Sequence, residues 1–270
     1  MKEQERRVGY LDSARGLASL AVVFGHFILA FDPYGTIAWV HYSPIHILYD
    51  GFAAVSFFFV LSGFILSSKY FNDAAPILDL AAYSSYVVKR VFRIYPLYIF
   101  LILASIALKL LFFRQISTTP ALSSWLHSMW TETGSLDYFL SKAYFLPRRS
   151  TFIPQAWTLG IELLFSLMIP LDVLAVRCNV FATVIIIVIA MFFTTTGVFA
   201  LHFLTGILVA YYSDSISKYM SSLSKGGEMV CLAAPLVFIR CGILYRNICP
   251  SLELQTASSK TKNSYGLSPA

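Results

Sequence analysis

Long apolar runs separated by polar intervals set the framework of this chain. Runs near 16–31, 48–67, 94–113, 157–176, 180–197, 199–213 and 228–245 are apolar enough to read as helices. A hydrocarbon layer about 30 Å thick takes about 20 residues of helix to cross, so the pattern predicts an all-α, polytopic membrane helix bundle of about seven transmembrane helices. The first and sixth runs are short and need tilt, flanking residues or local thinning to complete a crossing. Residues 250–270 are rich in Ser, Thr, Lys and Gly and lose the apolar pattern. The expected organisation is a transmembrane domain over 1–245 and a polar, disordered tail over 246–270.

Composition agrees and narrows the class. Among 270 residues, 57% are hydrophobic and 13% charged, which excludes an ordinary soluble domain. Lys2, Arg6, Arg7 and Arg15 precede the first apolar run, the segment 32–47 has no Lys or Arg, and 68–93 carries Lys69, Lys89, Arg90 and Arg93. This asymmetry predicts a cytoplasmic N-terminus. The segment 114–156 then lies outside despite Arg114, Lys142, Arg148 and Arg149, because long loops obey the charge rule weakly. A net charge of +6 reads as orientation and lipid contact, with membrane lipid and not nucleic acid as the partner. Cys178, Cys231, Cys241 and Cys249 have no paired spacing, so neither a metal site nor a disulfide framework is expected. His26 within the first run, together with a weak cleavage site, favours a retained helix over a signal peptide.

Polar residues inside the apolar runs are the candidates for chemistry. Eleven residues separate Arg15 from His26, which returns a helix to within about 20° of its starting direction and stacks the two on one face about 16 Å apart. Asp12 is placed to cap the first helix, and Gly16 and Gly25 to let neighbours approach. In Phe57–Phe64 the small pair Ser62-Gly63 forms a notch suited to helix packing. Arg90 and Arg93, three apart, lead into Ile94-Tyr95-Pro96, with Pro96 near a helix start, and direct both guanidinium groups to one side. Two readings stand: topology with lipid phosphate contact, or a fork for a phosphorylated cytosolic ligand. Trp157 marks an interface, which puts Glu162 about 8 Å below it and within a turn or two of His26. An acid and an imidazole meeting in the outer half of a bundle could take a proton from a hydroxyl group, or could simply hold helices together. The segment 114–156, with Trp125, Trp130, Tyr138, Phe139 and Tyr144, leaves open an interfacial or re-entrant piece.

Four stretches in order carry a family resemblance. Tyr10-Leu11-Asp12-Ser13-Ala14-Arg15-Gly16-Leu17-Ala18-Ser19-Leu20 is followed by His26, then Phe58-Phe59-Val60-Leu61-Ser62-Gly63-Phe64, then Arg90-Val91-Phe92-Arg93 with Tyr95-Pro96, then Trp157-Thr158-Leu159 with Glu162. Over roughly residues 8–213 the chain resembles acyltransferase family 3, the integral-membrane O-acyltransferases of the polysaccharide and O-antigen acetylase type. The resemblance implies transfer of an acyl group, most often acetyl, from a CoA donor at the cytoplasmic side. The acceptor it implies is a hydroxyl of a glycan or lipid-linked sugar at the outer side, in a bacterial inner (plasma) membrane. Acetyl-CoA or another acyl-CoA would be a co-substrate, with no bound cofactor.

Carried over by position, His26 is the catalytic candidate, as general base or as transient acyl carrier. Arg15, Arg90 and Arg93 would hold donor phosphates or oppose charge at the thioester carbonyl, and Glu162 would orient or charge the imidazole. The family pattern continues with further helices, so a C-terminally shortened chain is expected here. A non-catalytic carrier or assembly factor for cell-surface polysaccharide is the rival reading, in which His26 and Glu162 line a path or tie helices together.

Overall fold

The computed structural model describes residues 2–31, 44–72, 79–112, 123–131, 134–143, 150–193 and 197–222, and all regular structure among them is helical. In chain order the helices are α1 (Lys2–Phe31), α2 (Gly51–Asn72), α3 (Leu80–Phe112), α4 (Ser124–His127), α5 (Leu136–Ala143), α6 (Ala156–Cys178), α7 (Val180–Phe193), α8 (Gly197–Tyr211) and α9 (Ser213–Ser222). A 3₁₀ turn, Pro44–Leu48, precedes α2. Two compact units divide the chain at residue 213, and α9 is the described part of the second. The expected helix at 228–245 and the tail at 246–270 lie outside the described residues.

Four helices are long and apolar enough to cross a membrane: Gly9–Phe31, Gly51–Phe71, Leu80–Phe112 and Ala156–Cys178. A fifth is added if α8 and α9 count as one broken span, while α7 contributes the shorter apolar stretch Val180–Ile189. The all-helical class therefore holds, and among the described residues the count of full-length spans is four or five where about seven were expected. Large apolar side chains point outward along α1 and α3, among them Leu17, Val23, Phe24, Phe27, Phe92, Leu97, Phe100 and Leu110. Such a surface is unfavourable in water and suits hydrocarbon.

Two boundaries differ from expectation for a physical reason. α1 extends back to Lys2, so Asp12 sits inside the helix and has no N-terminus to cap. Its carboxylate instead pairs with Arg15 one turn on, at 3.3 Å. α3 begins at Leu80, well before the apolar run, and Pro96 falls in its interior. Pro96 lies on the exposed face, where the interrupted backbone bond disturbs no packing against a neighbour.

Small residues set the tightest contacts. A Cβ at Gly63 would collide with the backbone carbonyl of Phe203, and one at Gly206 with that of Val60, so α2 and α8 touch backbone to backbone. Gly25 does the same for α1 against Tyr49 and Gly51, as expected, whereas Gly16 faces open space and supports no close approach. Because Gly25 abuts the start of α2, the two helices run antiparallel, and α2 in turn packs against α6 and α8. Around α2 the buried core is Phe59, Tyr70, Ile169, Val173, Val176, Phe203, Leu204 and Ile207. A second cluster of Tyr98, Ile102 and Ala156 joins α3 to α6.

Candidate active site

His26 and Arg15 share one face of α1, as their spacing predicted. Both are half-buried beside Ala18, Val22 and Gly25, while Leu17, Leu20, Val23 and Phe24 face outward. His26 Nδ1 lies 2.7 Å from the Val22 carbonyl oxygen. A carbonyl can only accept, so Nδ1 carries the proton and donates it, which leaves the lone pair of the neutral ring on Nε2. That is the tautomer a general base needs. The ring packs against Trp125 of α4 at 5.5 Å between centroids. The Ser123 amide donates to the Ala30 carbonyl at 3.0 Å, fixing α4 over the end of α1. Trp125 was visible only as one aromatic among several in a segment without periodicity.

Glu162 finds a different partner from the one expected. Ser62 Oγ donates to Glu162 Oε1 across a long 3.5 Å contact, joining the second sequence motif to the fourth. Among the described residues no hydrogen bond or ion pair links Glu162 to His26. The register explains why. His26 stands beside the start of α2, whereas Ser62 lies eleven residues past Gly51, about 16 Å further along the axis. Counting back from Gly25 instead brings Arg15 to the level of Val60–Ser62, about 16 Å from His26. Trp157 stands in the first turn of α6, and its ring packs against Phe199 at 5.4 Å.

The two predicted donor residues separate sharply. Arg90 is 6% exposed, whereas Arg93, three residues on, is exposed. The Arg90 guanidinium sits over the Tyr86 ring, 5.9 Å from its centroid. Tyr86 in turn donates its hydroxyl to the Ser166 carbonyl of α6, and Tyr83 donates to that of Leu167. Lys69 completes the group from α2. Its ammonium lies 4.7 Å from the Tyr70 ring centroid and 5.1 Å from that of Tyr86, within electrostatic reach of Lys89 and Arg90. Arg177 of α6 donates to the Tyr70 carbonyl on the same side. Among the described residues no ion pair joins a carboxylate to Lys69, Arg90 or Arg177. In the sequence Lys69 counts only toward topology and Arg177 gives no signal, because only folding gathers them at Tyr70 and Tyr86.

The bundle thus has the His26 imidazole near one end, a polar Ser62–Glu162 contact midway, and at the other end a group of cations with no ion pair among the described residues. A family model for the acyltransferase domain matches residues 8–245, most of the chain. The protein belongs to the acyltransferase 3 family. The match extends beyond the 8–213 stretch that carries the four motifs and takes in the apolar run at 228–245. No curated protein and no solved structure matches the chain. As an acyltransferase 3 protein it is a membrane acyltransferase, and its motif residues occupy α1, α2, α3 and α6.

Proposed function

We propose that this acyltransferase moves an acetyl group from acetyl-CoA to a hydroxyl of a carbohydrate acceptor, with His26 as general base. The observation that carries the reading is the Nδ1 bond to the Val22 carbonyl, which leaves Nε2 as the proton acceptor. The acceptor hydroxyl gives its proton to Nε2 as its oxygen attacks the thioester carbonyl. The C–O ester bond forms, the C–S bond breaks, and the departing thiolate takes the proton from the imidazolium to leave as the free CoA thiol. His26 ends as it began.

The donor's phosphates bind at the opposite end, against Arg90 and Lys69, where planar and point cations converge without a carboxylate. Arg15 also serves the donor. Helical side chains lean toward the helix N-terminus, which directs Arg15 away from His26 and beyond reach of the reacting carbonyl. Glu162 and Ser62, level with Arg15, accept hydrogen bonds from the amides of the donor's arm. With the N-terminus cytoplasmic, the cationic end faces the cytosolic donor and the His26 end faces an outer glycan or lipid-linked sugar, as in a bacterial inner membrane.

The test is thiol release from acetyl-CoA by the purified, lipid-reconstituted protein with and without free sugars. Sugar-dependent release, matched mole for mole by O-acetyl ester, is the expected result. A carrier or assembly factor would release no thiol, and absence of release across a panel of sugars would remove the proposal.

A further inference from the structure

Hydroxyl-bearing residues in the helices of this protein follow a common habit. Ser13, Ser19, Ser67, Ser68 and Thr205 each return their hydroxyl to the carbonyl four residues earlier. His26 does the same with Nδ1. Ser56 of α2 and His202 of α8 break it: Ser56 Oγ and His202 Nδ1 are buried and make no hydrogen bond. A buried polar group without a partner is unfavourable, and native proteins leave few.

The two groups belong to one interface. Phe52 and Ser56 are four residues apart on α2 and so share a face, and His202 packs its ring against Phe52 at 6.3 Å and against Phe199 at 6.2 Å. Trp157 of α6 closes on Phe199 from the third side. At Gly63 and Gly206 the α2 and α8 backbones touch, while toward the His26 end the contact between them is made by these rings, with Phe52 at the exposed edge. The other two buried polar atoms without a hydrogen bond, His127 Nε2 and Thr151 Oγ1, also lie in the segments covering this end. Among the described residues, the buried polar atoms without a hydrogen bond therefore lie toward the His26 end and not among the cations.

Aromatic faces interleaved with a hydroxyl and an imidazole suit one ligand chemistry: a sugar ring, whose apolar face packs on aromatic rings and whose hydroxyls both donate and accept. The geometry points to the α2–α8 interface at Ser56, His202, Phe52, Phe199 and Trp157 as the binding site for the sugar acceptor. This rests on the acetyl-transfer reading and adds to it residues outside the four motifs. The habit of back-bonding makes the exception informative, since the other hydroxyls named above each bond a carbonyl one turn earlier.

Ser56→Ala and His202→Phe test the site, the second keeping a ring in the aromatic cluster. Acceptors are glucose, mannose, rhamnose and N-acetylglucosamine, with octyl glucoside below its micelle concentration set against glucose to separate a lipid-linked from a free acceptor. Each variant is expected to raise acceptor KM about tenfold while leaving kcat and acetyl-CoA KM within about twofold, as loss of a ligand hydrogen bond from a buried group would. His202→Gln, which restores a donor and an acceptor, should recover part of the loss. Unchanged acceptor KM in both variants, or an equal rise in both substrates' KM, overturns the assignment. Should His202→Phe not fold, Ser56→Ala decides alone. If the wild type releases no thiol, acetyl transfer fails on its own, and Trp157 fluorescence titrated with the same sugars decides the site. Quenching abolished by Ser56→Ala supports it, and no quenching overturns it.

Discussion

The His26 end and the Arg90 end of the bundle solve opposite problems with similar helices. At the first, polar groups are neutral, few and set among rings: His26 on Trp125, His202 on Phe52 and Phe199. At the second, Lys69, Arg90 and Arg177 gather around Tyr70, Phe71 and Tyr86 with no carboxylate among the described residues. Like charges repel one another, so such a cluster suits an anionic ligand. An imidazole with one nitrogen bonded to its own helix suits a proton to be moved at the other. On the proposed reading, donor and acceptor are recognised by different chemistries about 16 Å or more apart, with the donor's arm bridging them.

The comparison can be broken at its scaffold first. Gly206→Val forces a side chain into the α2 backbone at Val60 and Phe64, which cannot yield as a flexible side chain would. We expect a loss of about 3 kcal/mol or more, seen as a lower melting temperature and aggregation in detergent, and both ends should fail together. Next comes Arg90→Ala, which removes a buried cation packed over the Tyr86 ring. Acetyl-CoA KM should rise about 10- to 100-fold, with sugar KM unchanged. Lys69→Gln should raise acetyl-CoA KM about two- to fivefold, since an exposed cation contributes about 1 kcal/mol or less. Arg93→Ala should be smallest, about twofold or less by the same screening argument. An equal effect of Arg90→Ala and Arg93→Ala would erase the distinction that burial draws between them. A change in sugar KM from any of these three would erase the distinction between the ends.

Much of the fold was legible because apolar runs map directly onto helices when the surroundings are hydrocarbon. The run at 157–176 became Ala156–Cys178, and that at 199–213 became Gly197–Tyr211. The first turns of α3 were not legible, because Tyr86, Lys89, Arg90 and Arg93 are too polar to read as a span although they continue one helix. The eleven-residue spacing of Arg15 and His26 transferred intact to a shared face, since helical periodicity is local. The expected pairing of His26 with Glu162 did not, since depth depends on where α1 and α6 are pinned against α2. Gly25 and Ser62 set those registers, and nothing in the run lengths reports them. Ser56 and His202 were silent for the same reason: a buried atom that lacks a partner is visible only once its neighbours are in place.

The central claim is that His26 moves the proton, and the direct measurement is kcat for sugar-dependent thiol release by His26→Ala against the wild type. General-base catalysis contributes about 10²- to 10⁴-fold, so the account predicts a loss of at least about a hundredfold with acetyl-CoA KM near the wild-type value. A His26→Ala protein that folds and keeps kcat within a few-fold of the wild type would contradict it.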